Sequence, residues 1–208
     1  MVILKQGSPI IDSALIAREI IKREIRFKPV IEKSGLCPIG QKKKKLESNF
    51  RSLSRSIISQ QLSTKAAETI INRVETIASG LTPENIAKTD LPLLRQAGLS
   101  AAKARALKEL ADAKDEINFS RFALGKSDEE IYQILLPFYG IGPWTVEMFL
   151  IFQLGRIDIW PVKDLGVRRG WEKIHQLNEE ISPKILEAQG ERFSPFRSHL
   201  AWYCWRAL

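Results

Sequence analysis

Apolar residues recur along this chain at spacings of three and four, the period of a helix with one face turned to a core. Phe50, Leu53, Ile57 and Ile58 form one such stripe, and Ala66, Ala67, Ile70, Ile71 and Val74 form the next. Between them Ser63 is placed to cap a helix over 64–78, Gly80 to stop it, and Thr82-Pro83 to open another. A Ser or Thr hydroxyl accepts from first-turn amides, and a proline in that turn forgoes an N–H that has no partner anyway. An earlier stripe, Ile10, Ile11, Ala14, Leu15, Ile20, Ile21 and Ile25, predicts a first helix that Lys28-Pro29 breaks. Residues 101–114 read as an Ala/Lys-rich helix, basic along one side through Lys103, Arg105 and Lys108. Ser127 and Glu130 make a capping box for a helix over 128–136. Ile174, Leu177, Ile181, Ile185 and Leu186 predict two more helices around Ser182-Pro183, and Pro195 opens the last. Few segments alternate with period two and no Asn-Gly turn appears, so the expected class is all-α, with about ten helices.

One stretch departs from plain periodicity. Residues 135–170, LLPFYGIGPWTVEMFLIFQLGRIDIWPVKDLGVRRG, read as a helix end, a tight turn Gly140-Ile141-Gly142, a helix opened by Pro143, and a loop that delivers Asp164 to the start of another helix. The two glycines are expected to reach backbone conformations closed to other residues and to leave amides bare at a helix N-terminus, a socket for a phosphate oxygen. Asp164 has a structural reading, the cap of helix 165–175, and a chemical one, a carboxylate that the helix end keeps ionised by about 0.3–1 kcal/mol. The two are compatible. Asp158, earlier in the same loop, is the second acidic candidate.

Composition narrows the partners. Thirty-two Lys and Arg against 24 Asp and Glu leave a net charge of +8, which favours a polyanion. The run Lys42, Lys43, Lys44 and Lys45 is either a solvated face or a contact to such a polyanion. Cys37 and Cys204 stand alone, without metal-ligand spacing, and point to a reducing compartment. No apolar run suffices for a membrane span and the first residues lack a signal-peptide pattern, so the expected location is intracellular.

Three separated motifs then stand in order: SIISQQLSTKAA at 56–67, GIGPWT at 140–145 followed by PVKDLG at 161–166, and FSPFRSHLAWYCW at 193–205. Together they resemble the helix-hairpin-helix (HhH-GPD) DNA glycosylases, and within them the 3-methyladenine glycosylase II (alkylation) type, over about 10–206. The resemblance implies a single two-lobed unit over 1–208, one lobe from 1–62 with 137–208 and the other from 63–136. The helix-hairpin-helix then lies at 128–154, the active cleft between the lobes, and no additional N-terminal β domain is present. It implies a monomeric base-excision-repair enzyme, in the cytoplasm at the nucleoid or in a nucleus, that flips alkylated purines out of double-stranded DNA and hydrolyses their bond to the sugar.

Residue by residue, the resemblance makes Asp164 the catalytic carboxylate, with Lys163 where relatives often carry a second acid. Trp144 stands where bifunctional relatives place a nucleophilic lysine, so a monofunctional enzyme without a lyase step is implied. Trp144, Met148 and Trp205 are candidates for the base pocket, because aromatic faces attract cationic alkylated bases; each has core packing as its alternative. Leu62, with Gln60 and Gln61, matches the wedge that fills the hole left by a flipped nucleotide, against an ordinary core leucine. Gly140, Gly142 and Trp144 form the phosphate-binding hairpin, and the backbone carbonyls of Leu136, Phe138 and Ile141 match a site for a monovalent cation, Na or K. No cofactor is otherwise required, and Cys204 by itself cannot build the iron–sulfur cluster of some relatives. Two other readings stay open: a non-catalytic helix-hairpin-helix DNA-binding protein, and the same fold acting on uracil or oxidised purines.

Overall fold

The structure, a computed structural model, describes residues 11–41, 48–115 and 117–208, so the lysine run 42–45 lies outside the described residues. Every regular element in them is helical, as the periodicity predicts. In chain order these are α1 (Ser13–Arg23), α2 (Lys28–Ser34), α3 (Asn49–Ser59), α4 (Thr64–Ala78), α5 (Pro83–Lys88) and α6 (Leu91–Gln96). There follow α7 (Ala101–Asp112), α8 (Asp128–Leu135), α9 (Pro143–Met148), α10 (Leu165–His175), α11 (Pro183–Glu191) and α12 (Arg197–Ala207). None of these helices is long and apolar enough to cross a membrane.

The chain divides into two compact units, Met1–Lys44 with Leu154–Leu208, and Lys45–Gln153. The expected division at 62 and 136 therefore moves outward. Its cause is α3, whose buried Phe50, Leu53, Ile57 and Ile58 pack among α4, α7 and α9 and draw 49–62 and the hairpin into the second unit. In that unit α7 is central, burying Ala104, Ala106, Leu107, Leu110 and Ala111. Phe50, Phe119, Phe122 and Phe149 extend the core as a chain of rings 5.2–6.2 Å apart.

Two lysines expected on a basic outer side of α7 turn inward. Lys108 Nζ donates to the carbonyls of Ile86, Ala87 and Thr89 at the end of α5, and Lys103 Nζ to those of Ile58 and Gln60 at the end of α3. Helix C-terminal carbonyls lack intrahelical donors, and an ammonium there also meets the negative end of the helix dipole. Arg105 alone of the three stays outside, paired with Glu109 and lying over the Tyr139 ring.

The other unit is built on α12, buried nearly all round through Ser198, His199, Leu200, Ala201, Trp202, Tyr203 and Cys204, and packed most closely on α10. Trp171 stacks on His175 at 4.0 Å, with Phe27 and Phe193 edge-on to the pair. Beside them lies Glu24, buried but bonded to Arg26 and Arg192. Burial raises the pKa of this carboxyl; the bonds from Arg26 and Arg192 outweigh that and leave it below its ordinary value.

Several local expectations change. Asp12 caps α1, so the helix starts at Ser13 and buries Ile16, Ala17 and Ile20, while Leu15 and Ile25 are 43% and 64% exposed. The extended backbone of Glu24 ends α1 and rotates the next turn away from its stripe. Pro29 does not merely break a helix: it sits in the first turn of α2. Residues 176–182 are not helical, because Gln176 takes a left-handed conformation after α10, and Ile181 is buried from a loop. The short α2, α5 and α6 bring the described helices above the expected number; a helix of one or two turns is too brief to show a period.

His199 is fully buried and neither ring nitrogen has a hydrogen-bond partner, and burial pushes its pKa down to about 4 from an ordinary 6.5. An unfolded chain therefore takes up a proton between those values that the folded chain refuses, and stability is lost as pH falls through that window. At about 1.4 kcal/mol per unit the full loss approaches about 3 kcal/mol, with His175, also depressed by burial, acting in the same direction. Urea unfolding at intervals from pH 7 to pH 4.5 is expected to show this decline. His199→Leu should flatten most of it.

Candidate functional site

Asp164 opens α10 from an extended backbone, and one oxygen, Oδ1, accepts two bonds: from the Val167 amide at 2.8 Å and from the Trp205 indole N–H at 2.8 Å. The cap is local, whereas the indole arrives from α12, 41 residues away. The bond needs Gly166. A Cβ there would lie 2.8 Å from Trp205 Cδ1 and 3.1 Å from Asp164 Oδ1, so any larger residue pushes the indole off the carboxylate. Asp164 and Trp205 are half-buried and Lys163 is exposed. Trp205, expected in a base pocket, thus has a definite second duty, the orientation of a carboxylate.

Asp158 is committed elsewhere. Its carboxylate accepts from Arg197 Nε and a terminal guanidinium nitrogen at 2.7 and 2.8 Å, from the Arg197 amide at 3.3 Å and from Ser194 Oγ at 2.8 Å. Burial raises its pKa, but the Arg197 and Ser194 bonds outweigh that and hold it below the ordinary carboxylate value. It anchors the start of α12.

In the second unit, α8 carries the predicted Ser127–Glu130 capping box and ends at Leu135. The turn closes through the Ile141 amide, which donates to the Phe138 carbonyl at 3.1 Å. Gly140 is needed twice: its φ is +77°, and a Cβ would sit 2.7 Å from the Ala106 Cβ. Gly142 differs from expectation, since at φ −101° and with open space around it the backbone there suits any residue. It serves as the residue before α9, where Pro143 opens the helix as predicted. Trp144 is half-buried in the first turn of α9, while Met148 is 8% exposed and has little surface left for a ligand.

Gln60 is not idle in its loop. Its side-chain amide donates to the Gly140 carbonyl and to Thr145 Oγ1, both at 2.9 Å, so it joins the loop after α3 to the hairpin. Gln61 follows at φ +56°, a conformation few non-glycine residues adopt, and Leu62 is 38% exposed rather than packed in a core. Sequence reasoning passed over Thr145, Gly166 and the inward role of Lys103. Only Gly166, directly after Asp164-Leu165, carried a local sign that something approaches closely.

Residues 54–195 match the HhH-GPD superfamily of base excision DNA repair proteins. The chain belongs to this superfamily. It is 38% identical over 162 residues to DNA-3-methyladenine glycosylase 1 of Schizosaccharomyces pombe, covering 76% of this chain and 71% of that one. The solved structure of the Schizosaccharomyces pombe 3-methyladenine DNA glycosylase in complex with abasic DNA superposes with a TM-score of 0.74 at 34% identity, over 88% of this chain and 95% of that one. The 3-methyladenine DNA-glycosylase of Archaeoglobus fulgidus superposes at 0.76 with 26% identity, over 93% and 68%.

The contrast between the two aspartates is measurable. Asp158→Asn removes the charge facing Arg197 and is expected to lower unfolding free energy by about 2 kcal/mol in urea titrations, whereas Asp164→Asn keeps an acceptor for Val167 and Trp205 and should lose about 1 kcal/mol or less.

Proposed function

We propose that this protein is a DNA glycosylase of base excision repair that removes alkylated purines, of the 3-methyladenine type, from double-stranded DNA by hydrolysis. The observation that carries the reading is Asp164: a carboxylate at a helix N-terminus, held in plane by the Trp205 indole and the Val167 amide, in a chain of this superfamily. As the bond from base nitrogen to sugar carbon lengthens, positive charge gathers on the sugar. A fixed carboxylate lowers the energy of that charge without having to reorient, and it orients water for attack on the exposed carbon. The same cap bond that starts α10 therefore prepares the electrostatics of the reaction.

The rest follows from what DNA presents. A net charge of +8 attracts the duplex, and the N-terminus of α9, which no side chain caps, suits a phosphate. The carbonyls of Leu136, Phe138 and Ile141 suit a Na or K ion beside the hairpin, since Phe138's carbonyl, already taking one N–H from Ile141, keeps a second lone pair. Such an ion would add positive charge toward the phosphate. Leu62, exposed at the loop tip, fills the space of the extruded nucleotide, and Trp144 offers an aromatic face to an electron-poor base. With Trp144 in place of an amine nucleophile, the enzyme is monofunctional and leaves the strand intact. Its place is with the genome, in a nucleoid or a nucleus.

Asp164→Asn should fold and bind lesion duplex, yet release alkylated purine about 10²-fold or more slowly in single-turnover assays, while Asp158→Asn stays near the wild-type rate. Normal excision by Asp164→Asn would leave only a DNA-binding protein. Sodium borohydride, added during turnover, should trap no covalent enzyme–DNA adduct, and the product strand should break only on alkali treatment; strand scission in step with base release would make the enzyme a lyase.

A further inference from the structure

The loop after α3 is held more firmly than its exposure suggests. Lys103 Nζ reaches from α7 to the carbonyls of Ile58 at 2.8 Å and Gln60 at 2.7 Å, on either side of Ser59 at the end of α3. Gln60 then sends its own amide to Gly140 and Thr145 of the hairpin. Directly beyond these anchors Gln61 takes its left-handed conformation, Leu62 is exposed, and Ser63 caps α4 by accepting from the Ala66 amide. The exposed leucine thus stands on two residues of loop fixed at both ends.

We infer that Lys103 is a positioning residue for Leu62: its ammonium clamps the end of α3, and with Gln60 it binds the wedge loop and the phosphate-holding hairpin into one rigid device. This rests on the reading of Leu62 as the wedge given above. Chemistry favours that role over mere filling. Burial lowers the Lys103 pKa, so the fold works against its charge, and an uncharged side chain would cover the same neighbours without that cost. What only the ammonium supplies is several donors at once to carbonyls that lack them. A wedge must also resist the stack it enters. A left-handed Gln61 relaxes readily unless its neighbours prevent it, and a relaxed loop would withdraw Leu62 rather than insert it.

Lys108 provides an internal control. It lies on the same helix and makes the same kind of bond, to the carbonyls of Ile86, Ala87 and Thr89, but at the end of α5 and not at the loop. The experiment compares Lys103→Met, Lys108→Met, Leu62→Ala and the Lys103/Leu62 double variant in single-turnover excision of 7-methylguanine. One duplex pairs the lesion with cytosine; a second sets it opposite a mismatch that already loosens the stack. Lys103→Met should slow release from the paired duplex about tenfold or more, in the maximal rate rather than the half-saturating enzyme concentration, and less than about threefold from the mismatched one. Lys108→Met should match wild type on both substrates, even with a comparable fall in melting temperature. In the Leu62→Ala background, adding Lys103→Met should cost less than about twofold, because the two act through one contact. Lys103→Arg, which restores a charged donor, should recover part of the rate, and it takes the place of Lys103→Met in the cycle if that variant does not fold. Equal slowing on both duplexes, or losses that multiply in the double variant, would overturn the role of Lys103 while leaving the wedge in place. Full activity of Leu62→Ala on the paired duplex would remove the wedge itself and this inference with it.

Discussion

Every helix ends with amides at one terminus and carbonyls at the other that it cannot bond itself, and a fold made of many short helices must answer this at each end. That constraint organises this protein. Ser48, Ser63, Thr82, Ser100, Ser127 and Ser182 each accept from an amide of the turn they precede, and Asp12 and Asp164 do so with a carboxylate. At the opposite ends Lys103 and Lys108 supply the missing donors from a single central helix. Each cap contributes about 1 kcal/mol, modest in a long helix and decisive in short ones such as α5 and α8, of six and eight residues.

Two helix ends are answered unusually. At α10 the cap is an aspartate rather than a serine, so the terminus that needs an acceptor receives a full negative charge, and a second donor, the Trp205 indole, sets its plane. At α9 the residue before the helix is Gly142, no side chain caps the turn, and the Thr145 amide turns back to the Gly142 carbonyl at 2.9 Å. One terminus is met by a side-chain carboxylate, the other by backbone alone.

The caps and turns were legible in the sequence because they are local: Ser63, Thr82-Pro83, Ser127 with Glu130, Pro143 and Asp164 all act within four residues of themselves. The four apolar positions of α3 were legible for the same reason. What escaped depends on contacts between distant segments. Nothing near Lys103 in the chain shows that Ile58 and Gln60 lack donors, so an inward lysine looks like part of a solvated basic face. Asp158 and Asp164 share a loop and a residue type, and only their partners, Arg197 for one and Trp205 for the other, separate an anchor from a candidate catalyst. The unit boundary moved because α3 chose its partners by burial, which a pattern of apolar positions does not name.

The reach of Trp205 to Asp164 is itself set by backbone packing. Gly166 and Gly170 stand one helical turn apart on α10, facing Trp205 and Cys204 of α12. At Gly170 an added Cβ would collide with the Cys204 carbonyl, so α10 and α12 approach as closely as two backbones can, and that approach fixes how far α12 can slide or rotate. At Gly166 the space left by the missing side chain is filled by the indole ring. The pair of glycines therefore acts as a register mark. The first admits Trp205 to the carboxylate, the second holds the helix that carries Trp205 at the right height, and a hydrogen bond of 2.8 Å between residues 41 positions apart becomes a consequence of two absent methyl groups.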